Sequence, residues 1–161
     1  MKGNARDLGD PGTPAFRLDK YPFYLLNRLV SRYNGVIGSR LRAIGLSIPY
    51  WRVLMVLGEH SPRSVGQLAD NAVIPFSTMT RIVQRMAADG LISAESLESD
   101  NRVTEVAMTD AGKDRLAQAR AITAPIYAEV IEGFSLAEFE ALIGSLDRLY
   151  VNLEDLASCR R

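Results

Sequence analysis

Apolar residues recur three and four apart between Tyr21 and about Ala43, at Leu26, Leu29, Val30, Tyr33, Val36, Ile37, Leu41 and then Ile44, and predict one long helix with a single buried stripe. Gly45 ends it. Ser47 can cap a second helix that tolerates Pro49 in its first turn, carries Trp51, Val53, Leu54, Val56 and Leu57, and stops near Gly58. A short third helix begins at SVGQ, where Ser64 and Gln67 have the spacing of a capping box, and turns Leu68 and Ala69 inward. The run PFSTMTRIVQRMAADG predicts a fourth, closed by Gly90. At about 100° per residue its Met79, Ile82, Val83 and Met86 share one arc, and Ser77, Thr80, Arg81, Gln84 and Arg85 lie opposite.

The period then changes. LISAESL and VTEVAM read as two strands joined through ESDNR, whose Asp and Asn favour a turn, so the segment predicts a hairpin. Thr109 can cap a further helix through Leu116, Ile122, Ile126 and Val130, with Pro125 inside it predicting a kink or break and Gly133 stopping it. Ser135 and Glu138 repeat the capping-box pattern ahead of Phe139, Leu142, Leu146, Leu149, Leu153 and Leu156. That leucine seam could pack within one chain. A small helical and hairpin core does not need two extra helices, which favours packing between subunits and predicts a homodimer.

Composition adds exclusions. A chain of 161 residues with 24% charged and 47% apolar residues is one globular chain rather than a disordered or collagen-like one. No apolar run approaches the ~18 residues of a membrane span, and the first fifteen residues lack a signal-peptide core, so a cytoplasmic protein with no membrane partner is expected. There is one histidine, His60, and no HExxH, GxSxG, phosphate-loop or CxxC pattern, which predicts no enzyme, no cofactor and no metal site. The single cysteine, Cys159, cannot form an internal disulfide and reads as an incidental thiol near the end. Net charge is zero, yet residues 20–58 hold six basic and no acidic side chains. A nucleic-acid partner must therefore be argued from where the arginines fall.

The polar face of the fourth helix bears hydroxyls, an amide and two arginines but no carboxylate. This is the chemistry that reads base edges and holds phosphates, although a solvated face would look similar. Short helices followed by a hairpin form a winged helix-turn-helix, in which the helix from about Phe76 to Ala88 enters the major groove of double-stranded DNA. Arg102, the only cation between Leu97 and Thr109, would then sit in the minor groove, with Asp100 shaping the tip; alternatively it pairs with Asp100 or Glu105.

The run STMTRIVQRMAADGLI followed by DNRVTEVAMTDAGKDRL resembles the MarR family of bacterial transcriptional regulators, whose pattern is approximately STVTRLVDRLEKKGLV and then DRRAVLVSLTEKGRAL. The likeness spans about residues 20–157. It implies a homodimer with one winged helix per subunit, a pseudo-palindromic operator, and repression relieved by a small molecule. Ser64, Ser77, Thr78, Thr80, Arg81, Gln84, Arg85, Asp100, Asn101 and Arg102 are the candidate DNA contacts. Asn101 stands where the family often has a second arginine, and Glu95 and Ser96 replace frequent basic residues, which predicts weaker or more salt-sensitive backbone binding. Pro75 occupies a position where a polar cap is common. The domain reading is a flexible segment at 1–19, a helical dimerisation region at 20–46 and 110–157, and a DNA-binding region at 47–109.

Seven of the twelve aromatic residues lie between Phe16 and Trp51, in the stretch that concentrates positive charge. Arg28 and Arg32 are four apart, a like-charge spacing that an anion relieves. Tyr24, Arg28, Arg32 and Trp51 are therefore candidates for holding a small aromatic carboxylate, the alternative being an aromatic dimer core with solvated arginines. Two other function classes remain open: a thiol-based redox-sensing regulator, for which no cysteine lies near the first long helix, and a dimeric interaction module that does not bind DNA.

Overall fold

A computed structural model describes residues 4–97 and 100–158, with the side chains of residues 97 and 100–102 outside the described set. The chain forms α1 (Ala5–Gly9), α2 (Pro22–Arg42), α3 (Ile48–Glu59), β1 (Arg63–Ser64), α4 (Val65–Ala72), α5 (Phe76–Ala88), β2 (Ile92–Leu97), β3 (Asp100–Met108), α6 (Asp110–Ile131) and α7 (Leu136–Ser158). It is mainly helical, with one antiparallel sheet in the order β1-β3-β2. This is the winged-helix architecture that the periodicity predicts.

Two compact units divide the chain, Met1–Ala124 and Pro125–Arg161. The core of the first gathers Ile37 and Leu41 of α2, Val53, Leu54 and Leu57 of α3, Leu68 of α4, Met79, Val83 and Met86 of α5, Val106 of β3 and Leu116 of α6. Burial on α5 follows the helical period: Met79, Ile82, Val83 and Met86 are buried as expected. The first half of α2 differs, since Leu25, Leu29 and Val30 are exposed and burial begins only at Ile37.

The predicted caps form. Ser47 Oγ accepts from the Tyr50 N–H at 3.4 Å. Ser64 and Gln67 exchange side-chain to backbone bonds at 3.2 and 2.9 Å. Thr109 does more than cap α6: its Oγ1 accepts from the Gly112 N–H at 3.1 Å and donates to the Gly90 carbonyl at 2.7 Å, tying the start of α6 to the end of α5. Gly90 has φ +72°, a left-handed turn that any side chain would strain.

Three sequence expectations need correction or refinement. Pro125 does not break its helix, because α6 runs unbroken from Asp110 to Ile131. Proline removes the donor to the carbonyl four residues earlier, but Ala121 is exposed, so water can satisfy that carbonyl. The segment read as flexible at 1–19 carries local order among its described residues: Asn4 and Asp7 form a capping box for α1, and the Arg17 N–H donates to the Leu8 carbonyl at 2.8 Å. The sheet also gains β1, whose Arg63 and Ser64 pair with Val106 and Glu105.

The second unit has a different character. Ser135 and Glu138 form the predicted box, with Glu138 accepting from the Ser135 N–H at 2.9 Å and Ser135 Oγ accepting from the Glu138 N–H at 3.3 Å. No residue of α7 is buried. Its Leu142, Leu146, Leu153 and Leu156 are exposed, and Phe139 and Leu149 half-exposed.

Candidate nucleic-acid interface and effector cavity

Helix α5 separates its two jobs by face. With the apolar side locked into the core, Ser77, Thr78, Arg81, Gln84 and Arg85 are exposed. Arg81, Gln84 and Arg85 make no hydrogen bond or ion pair among the described residues. Their donors face water, ready for an oxygen-rich partner. Thr80 stands apart from this group: it is half-buried, and its hydroxyl donates to the Phe76 carbonyl at 3.1 Å. Ser64 Oγ is likewise engaged, as the α4 cap. Pro75 precedes α5 without any side-chain cap, so its first-turn N–H groups receive no local oxygen from a side chain.

The orientation of α5 is held at both ends. Thr109 anchors the turn after it through Gly90. Tyr50 at the start of α3 donates to Asp89 Oδ2 at 3.2 Å, just past the end of α5. Burial pushes the Tyr50 hydroxyl above its ordinary value, the Asp89 charge and hydrogen bond push the same way, and Arg85 opposes them. Farther back, Arg115 of α6 donates from Nη1 to the Ile44 carbonyl at 2.8 Å, joining α6 to the turn between α2 and α3.

The wing is the β2–β3 pair, with an irregularity between Ser96 and Leu97. The backbone of Asp100, Asn101 and Arg102 begins β3, while their side chains lie outside the described residues. Cys159 lies outside them as well. The register reveals one arrangement the sequence pattern did not: Glu95 and Glu105 are directly opposite across the ladder, a like-charge pair that weakens the wing stem and adds negative potential beside any bound backbone. Glu95 alone was legible; its partner depends on a register that no periodicity specifies.

The four residues expected to hold an aromatic acid are not brought together. Trp51 lines a cavity of about 600 Å³ with Val30, Tyr33, Asn34, Arg52, Met55, Val56, Asn71, Ala72 and Val73. Arg28 and Arg32 line a separate surface of α2 with Ser31, Gly35, Val36 and Ser39, and Tyr24 lines neither. The reason is helical geometry: Arg28 and Arg32 lie about 140° and 100° around the helix from Tyr33. Tyr33 and Trp51 have ring centroids 6.4 Å apart at an interplanar angle of 50°. Burial raises the Tyr33 hydroxyl from its ordinary value, and the Arg52 charge partly offsets this. Arg52 also lines that cavity, and the sequence marks it as the only charge inside the apolar run IPYWRVLMVLG. Among the described residues there is no cluster of three potential metal ligands and no helix long and apolar enough to cross a membrane.

Comparison with known proteins supplies context for this geometry. A family model described as MarR family matches residues 44–102. The HTH-type transcriptional repressor IacR of Pseudomonas putida is 33% identical over 147 residues, covering 91% of this chain and 88% of its own. The crystal structure of a MarR-family transcriptional regulator from Silicibacter pomeroyi superimposes with a TM-score of 0.77 at 28% identity, over 84% of this chain and 92% of that one. Bordetella bronchiseptica BpsR, described as regulated in its DNA binding by 6-hydroxynicotinic acid, shares the fold with a TM-score of 0.74 at 18% identity, over 84% and 96% of the two chains.

Proposed function

Because the chain belongs to the MarR family of transcriptional regulators, we propose that it is a homodimeric repressor that binds a pseudo-palindromic operator and releases it when a small aromatic carboxylate binds. The observation that carries the DNA-binding part is α5: a buried apolar face and, opposite it, exposed Arg81, Gln84 and Arg85, whose side chains make no hydrogen bond or ion pair among the described residues, with no carboxylate on the same face of the helix. In this reading α5 enters the major groove, and Arg102 on the wing reaches the adjacent minor groove. Repression is suggested by the Pseudomonas putida relative, which is a repressor.

The dimer rests on exposed apolar surface. The leucine seam of α7 and the early half of α2 are apolar yet unburied in the single chain. Contiguous apolar faces of this kind mark interaction surfaces, and two-fold pairing is the commonest way to cover them. An aromatic acid as effector draws support from the about 600 Å³ cavity with two aromatic walls and a guanidinium, and from the aromatic acid that regulates BpsR.

Selection of bound fragments from a random DNA pool tests the reading. The expected product is an inverted repeat with half-site centres about 34 to 36 Å apart. Failure to enrich any sequence, with an unidentified protein partner retained by the Arg81→Ala variant, would favour the interaction-module alternative.

A further inference from the structure

The chain enters α5 through an apolar stretch where a polar cap is common: Val73, Ile74, Pro75 and Phe76 carry no hydroxyl, amide or charge. Val73 is exposed and held at φ +54°, a left-handed conformation that a β-branched side chain strongly disfavours. Strained positions of this kind cluster at binding sites. Phe76 is the first residue of α5 and is 61% exposed, while Met79 and Val83 of the same helix are packed into the core. A single exposed phenylalanine is ordinary on a protein surface. This one stands at the N-terminal end of the helix assigned to the major groove, the end whose side chains reach base edges.

Every fourth residue of a helix advances about 40° around its axis, so Phe76, Thr80 and Gln84 form one row. The row starts at the edge of the buried face and runs into the exposed one, where Arg81 lies beside it. From Asn71 to Ala88 the chain has no carboxylate, so nothing along this row repels a phosphate backbone. In the major groove the edges of the bases present nitrogen and oxygen donors and acceptors, and one large apolar group, the C5 methyl of thymine. A phenyl ring set over a donor or acceptor would strip its water and return no hydrogen bond. Set against the methyl, the ring removes its own apolar surface and the methyl's from water together.

Resting on the DNA-binding reading above, we propose that Phe76 is a specificity-determining residue whose ring packs against the C5 methyl of a thymine in each operator half-site. Arg81, Gln84 and Arg85 supply hydrogen bonds and charge to bases and phosphates, and Phe76 adds a contact that hydrogen bonding cannot supply. Cytosine has no methyl at that place, so the contact separates thymine from cytosine by apolar burial in addition to any donor or acceptor pattern.

The operator selected from the random pool provides the test. Each thymine of its half-sites is replaced in turn by deoxyuridine, which removes the methyl and keeps every hydrogen-bonding group, and affinity of the full-length protein is read by gel shift at fixed salt. The expected result for wild type is one position per half-site where the loss is about fourfold, the usual factor for one buried methyl, and about 16-fold when both half-sites are changed. Phe76→Ala should bind the thymine operator several-fold more weakly than wild type and bind the thymine and deoxyuridine forms equally. Arg81→Ala should bind both forms more weakly and keep the penalty for losing the methyl. No sensitive thymine, or a penalty that persists in full in Phe76→Ala, overturns the Phe76 assignment and leaves the DNA-binding reading standing. A pool in which wild type enriches no sequence removes both. Should Phe76→Ala not fold, the wild-type complex is irradiated with 5-bromodeoxyuridine at the sensitive position, the bromine standing in the place of the methyl. A cross-link sequenced to Phe76 supports the proposal; a cross-link to another residue, or none, overturns it.

Discussion

Replacing Gly112 with alanine should destabilise the protein although it places a better helix former in a helix. Gly112 lies in the first turn of α6 and is buried against Leu91, the residue before β2, and Met108, the last residue of β3. A Cβ there would overlap the Leu91 carbonyl oxygen and lie 2.7 Å from Met108 Cγ. The methionine can turn aside, but the carbonyl cannot readily do so, because it accepts from the Thr109 N–H at 3.2 Å. Overpacking typically costs about 1 to 3 kcal/mol, and a backbone obstacle puts this case at the upper end. The gain in helix propensity offsets about 1 kcal/mol, leaving a net loss of about 2 kcal/mol. For a chain of this size that lowers Tm by about 4 to 8 °C. Urea and thermal unfolding at one fixed protein concentration measure it, since the proposed dimer would have an apparent stability that varies with concentration. Gly66→Ala is the matched control, because a Cβ there meets nothing closer than Ser64 Oγ at 3.8 Å. If Gly112→Ala unfolds at or above the wild-type urea concentration, the close approach of α6 to Leu91 does not constrain the wing base.

Three further outcomes follow from particular side chains. Val73→Gly should raise Tm by about 2 to 4 °C: the side chain is 81% exposed and little burial is lost, while relief of left-handed strain exceeds the added freedom of the unfolded glycine by about 1 kcal/mol; a lower Tm would count against strain at the turn. Tyr50→Phe should lose about 0.5 to 1 kcal/mol with the Asp89 bond. Because the folded Tyr50 hydroxyl titrates above its unfolded value, its contribution is complete below the ordinary tyrosine range near about 10 and fades as pH rises through the higher folded value; a wild-type minus variant difference that grows with alkaline pH would reverse that sign. Arg81→Ala should weaken operator binding by about 1 to 3 kcal/mol in a gel-shift titration while moving thermal stability by under about 0.5 kcal/mol; equal affinity would remove Arg81 from the contact face.

What the sequence revealed depended on whether a property is periodic. The two faces of α5 were legible because burial repeats with the helix, and Ser64, Thr109 and Ser135 because a cap is a local bond between residues three apart. The pairing of Glu95 with Glu105 was not, because strand register depends on the turn between them. Nor was β1, two residues whose pairing with β3 leaves no pattern in either segment. The effector candidates show the same limit in sharper form. Arg28 and Arg32 were singled out by spacing along one helix, whereas the cavity lined by Trp51 is made where three helices meet and has Arg52 in its wall. The dual role of Thr109 was half visible: its bond to Gly112 is local, and its bond to Gly90 spans nineteen positions.

The unburied seam of α7 also has a consequence for how such a regulator is counted in a cell. A chain without a partner keeps Leu142, Leu146, Leu153 and Leu156 in water, and exposed apolar stretches are what cellular quality control removes. In the proposed dimer, loss of chains is therefore amplified. Pairing depends on the square of chain concentration, so halving the supply removes more than half of the competent protein before any degradation begins. Under the proposed function, growth that dilutes the chain faster than synthesis replaces it would open the operator with no effector present, making abundance itself a second input to repression.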